Sequence, residues 1–101
     1  MIARMWRGVV HSEKLEDYID VVEETGMDEY RRTPGNLGAQ ILTRDLGEGR
    51  SEIVTISWWP DADHVRAFAG DDIEAAKYYP EDDPYLIERD SKVVHYVVES
   101  D

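Results

Sequence analysis

Cysteine is absent from this chain of 101 residues, which excludes disulfides, thiol catalysis and thiolate metal sites. No stretch approaches the roughly 20 apolar residues of a membrane span. The opening residues carry Arg4 and Arg7 where a signal peptide would need an apolar stretch, so a cytoplasmic protein is expected. Basic residues are scarce, 11 against 23 acidic ones, for a net charge of −12. That field repels nucleic acid and anionic lipid over a Debye length of about 8 Å, so neither is an expected partner. Lysine occurs only at Lys14, Lys77 and Lys92, and the acid is spread along the whole chain. Such a pattern serves solubility or, on a sharper reading, adaptation to high salt. Nucleophile elbow, phosphate loop, dinucleotide fingerprint and metal-binding helix motif are all missing, which leaves hydrolase, kinase and nicotinamide chemistry without support. Asp71, Asp72, Glu81, Asp82 and Asp83 lack the central Gly and closing Glu of a calcium loop. They read as solvated surface, and no metal site is expected.

What is present is one domain, residues 1–101, with 42% hydrophobic content and no repeat or linker. Residues 2–10 read as a strand. Ser12 is placed to cap a helix with Glu13 and Glu16 in its first turn, and Leu15, Tyr18, Ile19 and Val22 form its apolar stripe. Gly26 predicts a kink or restart before the helix ends near Tyr30 or Arg32. Thr33-Pro34-Gly35-Asn36 is a turn. Strands follow over 37–45 and 51–59, joined by a hairpin loop at 46–49. Asp61 caps a second helix carrying Val65, Phe68 and Ala69, which Gly70 ends. A short helical piece is expected from Asp71 to about Tyr78, then a loop at 79–85 and a last strand over 91–99. The order βαββαβ predicts an α+β, ferredoxin-like domain with a four-stranded antiparallel sheet and both helices on one face. The strands are apolar on both faces. The face without helices needs a cover, and a second copy of the chain is the simplest one.

The segments MIARMWRG, VTISWW, VRAFAG and VVHYVV resemble those of the antibiotic biosynthesis monooxygenase family, above all its uncharacterised members, over nearly the whole chain. The resemblance implies a dimeric α+β barrel, two sheets packed face to face, with a pocket between helices and sheet in each subunit. Characterised members oxidise polycyclic aromatic phenols with molecular oxygen and no metal or flavin; others degrade haem or handle quinols. The haem-degrading branch relies on an Asn in the first strand, a Trp in the second helix and a His ten residues later. Those positions fall here at or near Arg7, at Phe68 and at Tyr78. All three differ, and haem degradation is not expected.

Cofactor-free oxygenation of a small hydrophobic aromatic, a phenol or quinol, is therefore the expected activity. It needs a dry aromatic pocket, a base and a donor for a developing oxyanion. His95, in mid-strand among valines, is the candidate base, or else a core histidine bonded to a neighbour. Arg4 and Arg7, on opposite faces of the first strand, are candidate anion partners, or else salt-bridged to one of the many acids. Trp6, Trp58, Phe68 and Tyr78 are the candidate pocket wall. Trp6, Trp58 and Trp59 could equally fill core and dimer interface. His11 and His64 read as surface residues, and Tyr78, Tyr79 and Tyr85 flank a loop that either gates a pocket or is pinned by them. The alternative function is a non-catalytic small-molecule binder or structural dimer. A pocket below roughly 300 Å³ favours that alternative.

Overall fold

The computed structural model describes residues 1–100. Strand β1 (Ile2–His11) leads through a three-residue 3-10 turn, Ser12–Lys14, into helix α1 (Leu15–Val22). A π turn, Glu23–Met27, joins α1 to α2 (Asp28–Arg32), and the junction residues stay in right-handed helical conformation, so the whole forms one interrupted helix. Strands β2 (Gly38–Gly47) and β3 (Arg50–Trp59) form the hairpin, and α3 (Ala62–Ala69) follows. Two short strands, β4 (Leu86–Arg89) and β5 (Val94–Val97), complete the chain.

The π turn is written into the spacing of the stripe. Tyr18 and Val22 point inward, and the next inward residues are Met27 and Tyr30. Val22 to Met27 is five residues, one more than an α-helix tolerates on one face. The extra residue is absorbed where Gly26 and Thr25 sit, with Thr25 Oγ1 donating to Val21 O at 2.8 Å. Ser12 does not cap the helix as expected. Its hydroxyl is taken by Ser51 Oγ at 2.7 Å, its backbone N–H by Gly49 O, and no side chain caps the first turn. Asp61 does cap α3, accepting from His64 N.

The sheet is antiparallel in the order β2-β3-β1, with β4 and β5 sharing the fourth position. β5 pairs with Ile2–Met5 and β4 with Gly8–Val10, across a register shift between Val9 and Val10. The expected single strand over 91–99 is thus shorter and is preceded by a strand over 86–89. The expected helical piece over 71–78 does not form. Its backbone is engaged sideways: Val93 N donates to Glu74 O at 2.8 Å, Ala76 N donates to Ser91 O at 3.1 Å, and Ala75 bridges Lys92.

Alternation assigns the faces. Arg4, Trp6 and Val10 of β1, with Ile53, Thr55, Ser57 and Trp59 of β3, face the helices. Trp59, Tyr30 and Phe68 form one aromatic group there, with ring centroids 4.4–6.2 Å apart. On the other face, Leu42, Val94 and Tyr96 are exposed beside Met5, Ile56 and Trp58.

Gly8 sets how closely the split fourth strand and Trp6 approach β1. A Cβ there would lie 2.7 Å from Leu86 Cδ2 and 2.8 Å from the Trp6 ring. Gly8→Ala is expected to destabilise the fold by about 1–3 kcal/mol through this overpacking, read from the urea midpoint at unchanged slope.

Candidate functional site

The site is a cavity between the helices and the middle of β1 and β3. Alternation alone brings Arg4, Trp6 and Thr55 to its floor; Tyr18, Gly26 and Tyr30 form the opposite wall; Phe68 and the 77–79 segment close its sides. Its volume is about 40 Å³, room for two or three waters.

Four of the candidate residues meet here: Arg4, Trp6, Phe68 and Tyr78. Trp6 Nε1 donates to Tyr78 Oη at 2.9 Å, and that hydroxyl donates in turn to Asp90 O. Tyr78 is therefore pinned, with the Arg89 guanidinium 4.8 Å from its ring centroid. Arg7 and Trp58 are not at the cavity, because both point from the other face of the sheet. Arg7 Nε donates to Glu52 Oε2 at 2.5 Å, and Arg44 Nε donates to Glu52 Oε1 at 2.8 Å. These two arginines hold the Glu52 carboxyl below the usual carboxylate range, Arg44 contributing most.

Arg4 is the unusual member. It is 1% exposed, yet among the described residues no carboxylate pairs with it, in a chain with 23 acids. Nη1 donates to Ile73 O at 2.5 Å and Nη2 to Ala75 O at 3.3 Å, while Nε has no partner. The guanidinium lies 5.5 Å from the Phe68 ring centroid. Nη1 also contacts His95 Nε2 at 3.1 Å. A guanidinium can only donate, so Nε2 is the acceptor and the neutral ring carries its proton on Nδ1. His95 thus stands behind Arg4, with the lone pair expected to act as base already engaged.

Several of the cavity's other polar groups are paired. Tyr18 Oη donates to Asp82 Oδ1 at 2.9 Å, and Tyr79 N donates to Asp82 Oδ2 at 2.8 Å. Asp82 is 4% exposed, which corrects its reading as solvated surface; its position three residues after Tyr79, at the start of a 3-10 turn, was the available signal. Lys77 and Tyr79 both bond Glu29 of α2, and Lys77 Nζ lies 4.9 Å from the Phe68 ring centroid. Burial, then the nearby carboxylates, pushes the Tyr18 and Tyr79 hydroxyls far above the usual tyrosine value, and burial raises Tyr78. All three stay protonated at neutral pH. Thr25, Tyr30 and Lys77 were not singled out from sequence, because nothing local marks the cavity-facing side of the π turn. Tyr85 stacks on Tyr18 at 5.2 Å, His64 binds its helix cap Asp61, and His11 is exposed.

Burial and the Arg4 charge lower the pKa of His95. A group whose folded pKa lies below its unfolded value binds fewer protons when folded, so stability rises with pH through that range. The contribution is present above about pH 6.5 and is lost as pH falls below it. His95→Gln is expected to flatten the loss of stability between neutral pH and about pH 5, measured as chemical-denaturation midpoints against pH relative to the unsubstituted chain.

No family model matches the sequence, and no curated protein matches it. Solved structures do. A structure described as an antibiotic biosynthesis monooxygenase superposes with a TM-score of 0.69 at 16% identity, covering 99% of this chain and 100% of the other. MhuD of Mycobacterium tuberculosis, described as a haem degrader with two haems bound, matches at 0.60 and 16% over 100% and 98%. SnoaB of Streptomyces nogalater, described as a cofactor-independent oxygenase, matches at 0.57 and 19% over 99% and 94%. Haem does not suit the residues present here. The cavity is about 40 Å³, no histidine lines it, and the Tyr78 hydroxyl is committed to Trp6 and Asp90. Among the described residues no His, Cys, Asp and Glu cluster could hold a metal ion, and no helix is long and apolar enough to cross a membrane. The chain has the α+β fold of the antibiotic biosynthesis monooxygenase structures.

Proposed function

We propose that the chain is a cofactor-independent oxygenase-type protein that takes a small phenol or quinol into its helix-side cavity and works as a dimer through its open sheet face. The observation that carries this reading is the buried, carboxylate-free guanidinium of Arg4 beside an aromatic wall of Trp6, Phe68 and Tyr78. The fold shared with a cofactor-independent oxygenase supports it.

The chemistry asks for little more. Arg4 favours the phenolate over the phenol. The proton passes to His95 Nε2 as Arg4 Nη1 turns from the imidazole to the phenolate oxygen. The phenolate gives one electron to dioxygen, the resulting superoxide couples to a ring carbon bearing hydrogen, and loss of water from that hydroperoxide leaves a quinone. One dioxygen is consumed and one water released for each phenol. Entry of a ring requires the Lys77–Tyr79 segment to move off Glu29. A second reading, a non-catalytic binder or a dimer whose cavity is filled by its own side chains, is favoured by the cavity volume, which lies far below the roughly 300 Å³ of ordinary ligand sites.

Titration of tryptophan fluorescence with haem, a flavin, a quinone and a polycyclic phenol separates these readings. Saturable quenching by the phenol or quinone, followed by oxygen uptake that His95→Ala abolishes, is the expected outcome. Flat titrations select the filled dimer. Sedimentation is expected to give twice the chain mass, and Leu42→Asp, on the open face and 47% exposed, is expected to give folded monomers.

A further inference from the structure

We infer that Arg4 is a carboxylate-binding residue, and that the molecule entering the cavity is an aromatic carboxylic acid. The inference rests on the reading that the helix-side cavity takes an aromatic ligand, and names the group that ligand carries.

The donor count of Arg4 leads there. A guanidinium has five N–H groups. In this structure Nη1 serves Ile73 O and His95 Nε2, and Nη2 serves Ala75 O. That leaves two N–H groups, the one on Nε and the second on Nη2. With Ala75 O on the Nη2 hydrogen nearer Nη1, these two lie side by side on one edge of the planar group, an edge that can bind both oxygens of a carboxylate in parallel. The unpartnered Nε is itself buried. A single phenolate oxygen can take one strong bond from that edge, and a carboxylate takes both.

The charge balance agrees. A buried cation with no counter-charge is costly. The neighbouring cation on the wall, Lys77, already has Glu29. The two arginines of the opposite sheet face share Glu52. Among the described residues no carboxylate is brought to Arg4, and its head is held by two carbonyl oxygens, which orient it without neutralising it. The carboxylate that completes the site comes with the ligand. A cavity of about 40 Å³ accommodates a carboxyl group with little rearrangement, and the ring follows it toward the Lys77–Tyr79 side.

Benzoate, phenol and benzamide share a ring and differ at the group presented to Arg4. Their binding is followed through the Arg4 Nε–H signal in proton–nitrogen correlation spectra, assigned by its loss in Arg4→Lys. Benzoate is expected to shift that signal saturably, with benzamide and phenol weaker by about tenfold or more, as the loss of a bond to a charged group implies. Arg4→Lys keeps the charge without the edge and is expected to weaken benzoate by a similar factor, measured by calorimetry. Should that variant unfold, the signal of the unsubstituted chain alone decides. Phenol binding as well as benzoate would overturn the carboxylate assignment and leave the aromatic pocket standing. Saturable benzoate binding that leaves the Arg4 signal unmoved would overturn it too. No response to any of the three would remove the assignment and the pocket together.

Discussion

The rest of the site depends on how one guanidinium is kept under the helices. Arg4 sits in mid-strand on the helix-facing side of β1 and is buried there. Its head needs acceptors, and the acceptors are Ile73 O and Ala75 O. Carbonyls that point at Arg4 cannot also point along a helix axis, so the segment after Gly70 runs irregular and extended. Once extended, it offers Glu74 and Ala76 to Val93 and Ser91, and that pairing takes residues 91–93 away from β1, while Asp90 N still donates to Arg7 O. The fourth strand position is therefore split into β4 and β5, and the cavity opens beside the gap. Fold irregularity and site share one cause.

The opposite face of the sheet has a different logic. Leu42, Val94 and Tyr96 leave it apolar and open, while Arg7, Glu52 and Arg44 form a joined set within it. Glu52 is 9% exposed and keeps its charge because two guanidinium groups share it. Such a set survives burial better than a lone charge, since every oxygen of the carboxylate is bonded. A face of this kind can be covered without stranding an ion, and it carries more cation than anion in a chain of net charge −12.

The elements legible in the sequence were those fixed by local pattern. Period-two alternation gave β1, β2 and β3 to within two residues, the Asp61 and Gly70 signals bounded α3, and Gly26 marked the interruption of the first helix. Of the expected wall, Trp6 and Phe68 were legible from strand alternation and the helix stripe, while Trp58 fell on the opposite face of the sheet. What failed depended on distant partners. Ser12 lost its cap to Ser51, Asp82 was buried by Tyr18, and residues 71–78 lost their helix to Arg4. Arg4 and Arg7 lie on opposite faces as expected; which of them meets the cavity, and that Trp58 does not, was not legible because the pattern shows two apolar faces and does not say which one the helices cover. His95 stayed open between a base and a core histidine bonded to a neighbour because its contact with Arg4 spans 91 positions of sequence.

These partnerships decide what the cavity can do. Tyr18, Tyr78 and Tyr79 remain protonated, Asp82 is bonded by Tyr18 and Tyr79, and Lys77 is paired with Glu29. The charge left without a counter-charge among these groups is Arg4. A molecule entering here meets a field set by one cation in a poorly hydrated space, where Coulomb interactions are several times stronger than in water. On the proposed reading this field favours the anionic form of an acidic ligand. On the same reading the His95 lone pair orients the guanidinium, and the guanidinium's charge does the recognising.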